Sequence, residues 1–272
     1  MKNNKAPLIA GLFLLAVFAA FSLFPQYIAP YSPKEMFAAW QGVSQTHLLG
    51  TNDMGYDILS ELIYATASTL TVGVGAAALS LALGTLMGLL AGYLGGIAGE
   101  AADLCINVFL LIPMLPAAVV VAAFLGAGSD KLILTIGLLG WCSTAKTVRA
   151  RVRQLREAPF TEALSILGIP KYKILFSHIL KNITELLVAR FIMSVAGCIL
   201  TEATLSFIGL GDPTHVTWGG MISLAYKRGG FAKGAANWFL APGLCITLSV
   251  LAFYGISRYL ESRSVQVAGR ED

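Results

Sequence analysis

Between Leu62 and Gly99 the chain carries no charged side chain. A helix rises about 1.5 Å per residue and needs about 20 apolar residues to cross about 30 Å of hydrocarbon, so this stretch alone is longer than a bilayer demands. Comparable windows recur from Ala6 to Pro33, between Asp103 and Asp130, from Leu132 to Ala145, and over 237–257. A further apolar segment, 186–210, is interrupted only by Arg190 near its start and by Glu202. Spans are therefore expected near 7–28, 68–93, 102–125, 129–147, 186–210 and 237–257. The expected fold class is all-α, a polytopic membrane protein with six transmembrane helices. The apolar heart of the fourth span is short, and Lys131 and Lys146 are expected to snorkel from it to opposite surfaces.

Other classes fit poorly. Only 12% of the 272 residues are charged and 56% are hydrophobic, whereas soluble domains average about 25% charged. Disorder needs the reverse composition, and a barrel needs short alternating segments, which are absent. The net charge of +4 comes from basic residues lying between apolar stretches, so lipid rather than nucleic acid is the expected polyanionic neighbour. The N-terminus opens like a signal peptide, but its apolar run is too long and has no small-x-small site, so it is expected to stay as the first span. Cys105, Cys142, Cys198 and Cys245 read as small buried hydrophobes. His47, His178 and His215 have no second ligand at helical spacing, so no metal site is expected. With no phosphate loop, and with Gly126–Ser129 outside the setting of a nucleophile elbow, no catalytic residue is expected either.

Basic residues set the direction, because short cytoplasmic loops carry the excess of Lys and Arg. With the N-terminus inside, fourteen of the 19 basic residues fall on the inner side (Lys2, Lys5, Lys146, Arg149, Arg151, Arg153, Arg156, Lys171, Lys173, Lys181, Arg190, Arg258, Arg263, Arg270) and five outside (Lys34, Lys131, Lys227, Arg228, Lys233). Both termini are therefore expected in the cytoplasm. The chain then divides into 1–67, a first helix with an outer loop; 68–258, a five-helix core with a cytoplasmic loop at 147–183; and 259–272, a cytoplasmic tail. In the second span Gly84, Gly88 and Gly92 make one smooth stripe, read as packing within the subunit, with a subunit interface as the other reading.

The cytoplasmic loop holds a short helix. Pro159 precedes it, Thr161 is placed to cap it, Glu162 lies in its first turn, and Gly168 with Pro170 stops it. Ala163, Leu164 and Leu167 gather on one face of about two turns, too small to bury itself and too short to cross a membrane. Such a face asks for a partner with a groove.

With its Glu162, Ala163 and Gly168, followed by His178, Ile179, Leu180 and Asn182, this loop resembles the EAA loop of permease subunits of binding-protein-dependent ABC importers. Leu164 replaces that pattern's second Ala, and Lys181 stands where Pro is usual. HLLGTNDMGYDILSELIYATASTLTVG, His47 to Gly73, resembles the H-x-LGTDxxGRDxxSRLIYGxxxSL segment of the dipeptide, oligopeptide and nickel branch, with Tyr56 and Glu61 where Arg is usual. EATLSFIGLGDPTHVTWGGMI, Glu202 to Ile222, is similar to its EASLSFLGLG...P...WG element, and IPMLP at Ile112 to Pro116 to its helix break.

The resemblance implies a type I ABC importer permease. Glu162, Ala163, Leu164, Leu167 and Gly168 would couple it to two cytosolic ATPase subunits. A homologous second permease would complete the path, and an extracytoplasmic binding protein would deliver peptides or nickel, including a metal chelate. ATP would be used by the partners, with no cofactor bound here. Glu202 has two readings, a contact in the translocation path or a structural hydrogen bond near Gly209 or Gly211. Pro113 and Pro116 are expected to kink the third span, as packing or as a gating hinge. Trp218 is expected at the headgroup level, with contact to the binding protein as the second reading. Two other classes remain open: a self-sufficient secondary carrier using Glu202 as its ion site, and an intramembrane enzyme, for which no nucleophile and base pair stands out.

Overall fold

The computed structural model of the chain describes residues 5–33 and 35–268. Lys2, Lys34 and Arg270, used above for orientation, lie outside the described residues, as do the last four residues of the expected tail. Twelve α-helices and one π-helical turn are formed among the described residues: α1 (Ala6–Leu23), α2 (Pro25–Ile28), α3 (Ile58–Tyr93), α4 (Gly96–Leu110), α5 (Met114–Leu125), α6 (Ser129–Arg156), α7 (Pro159–Ile166), α8 (Lys171–Lys173), the π turn (Ile174–Ile179), α9 (Leu180–Asn182), α10 (Thr184–Ile208), α11 (Trp218–Lys227) and α12 (Ala236–Ala268). A lone bridge pairs Thr51 with Asp57.

The fold is all-α. Four helices, α1, α3, α10 and α12, are long and apolar enough to cross a membrane, and α4 with α5 makes a fifth span if the two are counted as one. That pair is bent by 86°. The bend lies at Leu111–Pro113: Pro113 is the extended residue before α5, and Pro116 sits in its first turn. The expected kink in one span is thus a break between two helices. The expected fourth span lies within α6, a 28-residue helix whose apolar half runs into Lys146, Arg149, Arg151, Arg153 and Arg156. Those charges keep α6 from meeting the same criterion of length and apolarity.

At 36 residues α3 is about 54 Å long and starts ten residues before the expected span. It is the hub, touching α1, α4, α6, α10, α11 and α12. Its closest neighbour is α6. A Cβ built on Gly84 would stand 2.7 Å from the Trp141 carbonyl oxygen, on Gly88 2.7 Å from that of Ala145, and on Gly92 2.8 Å from that of Arg149. The four-residue step on α3 thus meets a four-residue step on α6, and the stripe packs within the subunit. In lipid no hydrophobic drive favours helix association, so this close van der Waals fit is what holds the pair. α12 packs on α1, α10 and α11 to complete the bundle.

Three apolar clusters result. The largest, with Val72, Ala76, Ile136, Ile199, Trp218 and Trp238, fills the middle. A second joins Leu89 of α3 and Val148 and Val152 of α6 to Ile174, Leu175, Ile179 and Ile183, near the basic end of α6. A third sets Ile106 of α4 against Ala91, Trp141, Cys142 and Ala145. Cys142 and Cys198 are buried as expected, whereas Cys105 and Cys245 are only half-buried.

Replacing Gly88 with Val is expected to destabilise the subunit by about 1–3 kcal/mol, while Gly197→Ala, where an added Cβ meets nothing within 4 Å, leaves it unchanged. Thermal unfolding of both variants in detergent checks this.

Candidate functional site

At the basic end, α7 follows α6 after a two-residue turn. Pro159 occupies its first position, where the missing N–H is no loss. Thr161 does not cap the helix as expected; it lies inside it, and its hydroxyl donates to the Leu155 carbonyl at 2.6 Å. The C-terminus closes as a Schellman motif. Gly168 takes φ +74°, its N–H bonds the Ser165 carbonyl at 3.0 Å, and the Ile169 N–H bonds that of Leu164 at 3.2 Å.

The apolar face of α7 splits between two environments. Leu164 turns inward onto the second cluster. Ala163 is exposed, Ile166 is 80% exposed and Leu167 75% exposed. The outward face is therefore Ala163, Ile166 and Leu167, at i, i+3 and i+4. Ile166 went unread in the sequence, although its spacing from Ala163 signals it. Glu162, also exposed, lines a cavity of about 820 Å³ between α7, the end of α3 and the Lys171–Phe176 stretch. Arg149, one of the basic residues of the inner set, pairs with Asp103 of α4 at 2.9 Å.

The opposite end of the bundle is tied by two carboxylates. Asp57 is the N-cap of α3: one oxygen accepts from the Ser60 N–H and hydroxyl, each at 2.8 Å, and the other lies 2.9 Å from His47 Nδ1. The Tyr31 N–H donates to the Ser60 hydroxyl at 3.1 Å, so the loop preceding α3 is stapled to its first turn. The D-x-x-S spacing before an apolar run was the available signal for this cap. Asp212 works across a longer distance in sequence. Its Oδ2 accepts from the Ser129 N–H at 3.0 Å and hydroxyl at 2.6 Å, capping α6 from the α10–α11 loop. Burial opposes its charged form, but hydrogen bonds from Ser129, from the Thr214 side chain and backbone, and from His215 outweigh it. The carboxyl is held well below the ordinary carboxylate range.

Glu202 is fully buried, and Ser206 donates to its Oε1 at 2.6 Å. Its partner is thus a side chain one turn on in the same helix, not backbone near Gly209 or Gly211. Trp218 departs from expectation most clearly. It is 0% exposed, its backbone N–H donates to Thr69 Oγ1 at 3.0 Å, its indole donates to the Leu62 carbonyl at 3.2 Å, and its ring packs on Phe18. The residue lies in the packed core because its one donor finds a carbonyl there.

A family described as binding-protein-dependent transport system inner membrane component matches residues 84–266. A dipeptide transport system permease of Haemophilus influenzae is 34% identical over 262 residues, covering 93% of this chain and 87% of that protein. A di/tripeptide transport system permease of Pseudomonas aeruginosa is also 34% identical, over 92% of this chain and 84% of its own length. A glutathione transport system permease of Pectobacterium atrosepticum is 32% identical, over 90% and 81%. The chain belongs to this family of inner-membrane transport components, on the branch of the peptide ABC importer permeases.

Replacing Asp212 with Ala is expected to cost about 1–2 kcal/mol at neutral pH, as the loss of a charged cap does. Because the folded carboxyl sits below its unfolded value, that contribution is present above about pH 4 and fades as the pH falls toward the folded value. Melting curves of wild type and variant should therefore converge on acidification.

Proposed function

We propose that this chain is the six-span permease subunit of an ATP-driven importer of short peptides in a bacterial inner membrane, with α6 as the fourth span and both termini cytoplasmic. The dipeptide, di/tripeptide and glutathione permeases similar to this chain support peptides as cargo, ahead of nickel or a chelate. The observation that carries the reading is the outward face of α7: Ile166 and Leu167 stand about four-fifths and three-quarters exposed on a helix closed by a left-handed Gly168. A cytosolic ATPase groove is the proposed cover, with one ATPase for each of two paired permeases and a binding protein on the outer side. ATP hydrolysis belongs to those partners. An ion-driven carrier working alone would have no use for this face.

The loop is built to pass on a push. Through Leu164, Ile174, Leu175 and Ile179 it shares one apolar cluster with Leu89 of α3 and Val148 and Val152 of α6. Close-packed groups move together rather than deform, so ATPase closure against α7 would shift the ends of α3 and α6 as a body. The break at Leu111–Pro113 is the proposed flexing point of the third span. Glu202 sits in this subunit's own core, so a part in the path would require α10 and α11 to separate, and we assign it to holding α10 instead.

Leu167→Glu is expected to lower co-purification of the ATPases about tenfold or more, as loss of a central apolar contact does; undiminished capture would remove the docking face. Gly168→Val forces a β-branched residue into φ +74°, a true outlier. Peptide uptake should fall while ATPase activity stops responding to the loaded binding protein, measured in proteoliposomes.

A further inference from the structure

A cavity of about 380 Å³ opens at the end of the bundle opposite α7, between the first turns of α3 and the 214–216 loop. Its size is within the range of small-molecule sites. The wall includes the phenols Tyr56 and Tyr64, the hydroxyls of Ser32 and Ser68, the imidazole of His215 and the carboxyl of Glu61, with no Lys or Arg among the described residues that line it. Asp57 also reaches this wall, but both its oxygens are taken by His47 and Ser60. Asp53, nearby, is paired with Arg228 at 2.8 Å.

Glu61 is different. Its carboxyl accepts from Asn52 Nδ2 at 3.1 Å and has the Trp238 side chain and the Arg228 guanidinium near it, but no ion pair within 4.0 Å among the described residues includes it, since Arg228 is taken by Asp53. Glu61 occupies the first turn of α3, where the helix dipole favours a negative group. The two positions at which the resembling segment carries Arg are Tyr56 and Glu61, and both are on this wall. This chain therefore presents a carboxyl and aromatic rings where that pattern is cationic.

We infer that this cavity is an outer-face subsite for an organic ammonium group, the N-terminus of the peptide cargo, with Glu61 as counter-charge and the tyrosine rings beside it. A carboxylate draws an ammonium, and an arriving ammonium holds the carboxyl ionised. Aromatic faces add cation–π attraction once water is displaced. The hydroxyls offer acceptors for the remaining N–H groups. The inference rests on the peptide-importer reading, which puts this end of the bundle on the side from which cargo arrives.

Two measurements on the full complex test it. The first places a thiol in the wall with Ser68→Cys on a Cys105→Ala, Cys245→Ala background. It compares mixed-disulfide formation, with release of methanesulfinate, by a cationic trimethylammonium-ethyl and an anionic sulfonatoethyl methanethiosulfonate. Relative to the same ratio for a small free thiol, the cationic reagent should be favoured about tenfold, a focusing effect of local charge, and Glu61→Gln should bring this normalised ratio close to one. A ratio indifferent to Glu61 overturns the subsite. Lys34 follows Pro33 in the chain and lies outside the described residues; if Lys34→Ala raises cationic labelling as much as Glu61→Gln lowers it, the chain's own ammonium is the occupant and the cargo assignment falls.

The second measurement is ATP-dependent uptake of Ala-Ala in proteoliposomes with the binding protein present, and it needs no added thiol. Glu61→Gln should raise KM several-fold at unchanged maximal rate, whereas an unchanged KM overturns the subsite and leaves the importer reading standing. Absence of any Ala-Ala uptake by the wild-type complex would remove both.

Discussion

The architecture depends on two backbones being allowed to touch. Over Gly84, Gly88 and Gly92 the surface of α3 is bare, and carbonyl oxygens of α6 lie where side chains would otherwise be. Without water to drive apolar groups together, contact distance is the main source of adhesion between spans. α6 carries the basic extension that leads into α7, and α3 starts from the loop stapled to its first turn and touches most of the bundle. Widening this one seam would displace the features at both ends of the molecule.

The two ends solve opposite problems. The end with α7 leaves apolar side chains uncovered while tucking Leu164 back into a cluster shared by three helices. The other end hides its polar groups, with Asp57 and Asp212 each satisfying helix N-terminal donors that have no intrahelical acceptor. One surface leaves Ile166 and Leu167 exposed, the face assigned above to the proposed ATPase; the other satisfies its polar groups from within apart from the Glu61 cavity.

Much of this was legible in the residues themselves. Apolar windows located α1, α3, α10 and α12, the first, second and last of them free of charge and that of α10 broken only by Arg190 and Glu202, because a long apolar run has few other solutions than a span. Pro159 and Gly168 marked the ends of α7 through backbone chemistry that is local. Other features needed three dimensions. The composition of α6 changes from apolar to basic within one helix, so its end at Arg156 was invisible to a search for windows. Trp218 had the residue type of an interfacial anchor, and only the proximity of Thr69 and Leu62, about 150 positions away in sequence, buries it. Leu164 and Leu167 share a helical face by spacing alone, but the second cluster takes one and leaves the other outside. Pro113 and Pro116 announced a distortion without its size, since an 86° bend depends on what α4 and α5 each pack against.

The bond between Asp212 and Ser129 joins segments 83 residues apart. Ser129 opens α6 and Asp212 lies in the loop after α10, and each borders a turn of the kind that usually tolerates exchange between related proteins. Here the two segments depend on each other through one carboxylate. A hybrid that took the 126–129 turn from one permease and the 209–217 turn from another would separate donor from acceptor. Drift at either position is thus constrained by a residue most of a hundred places away.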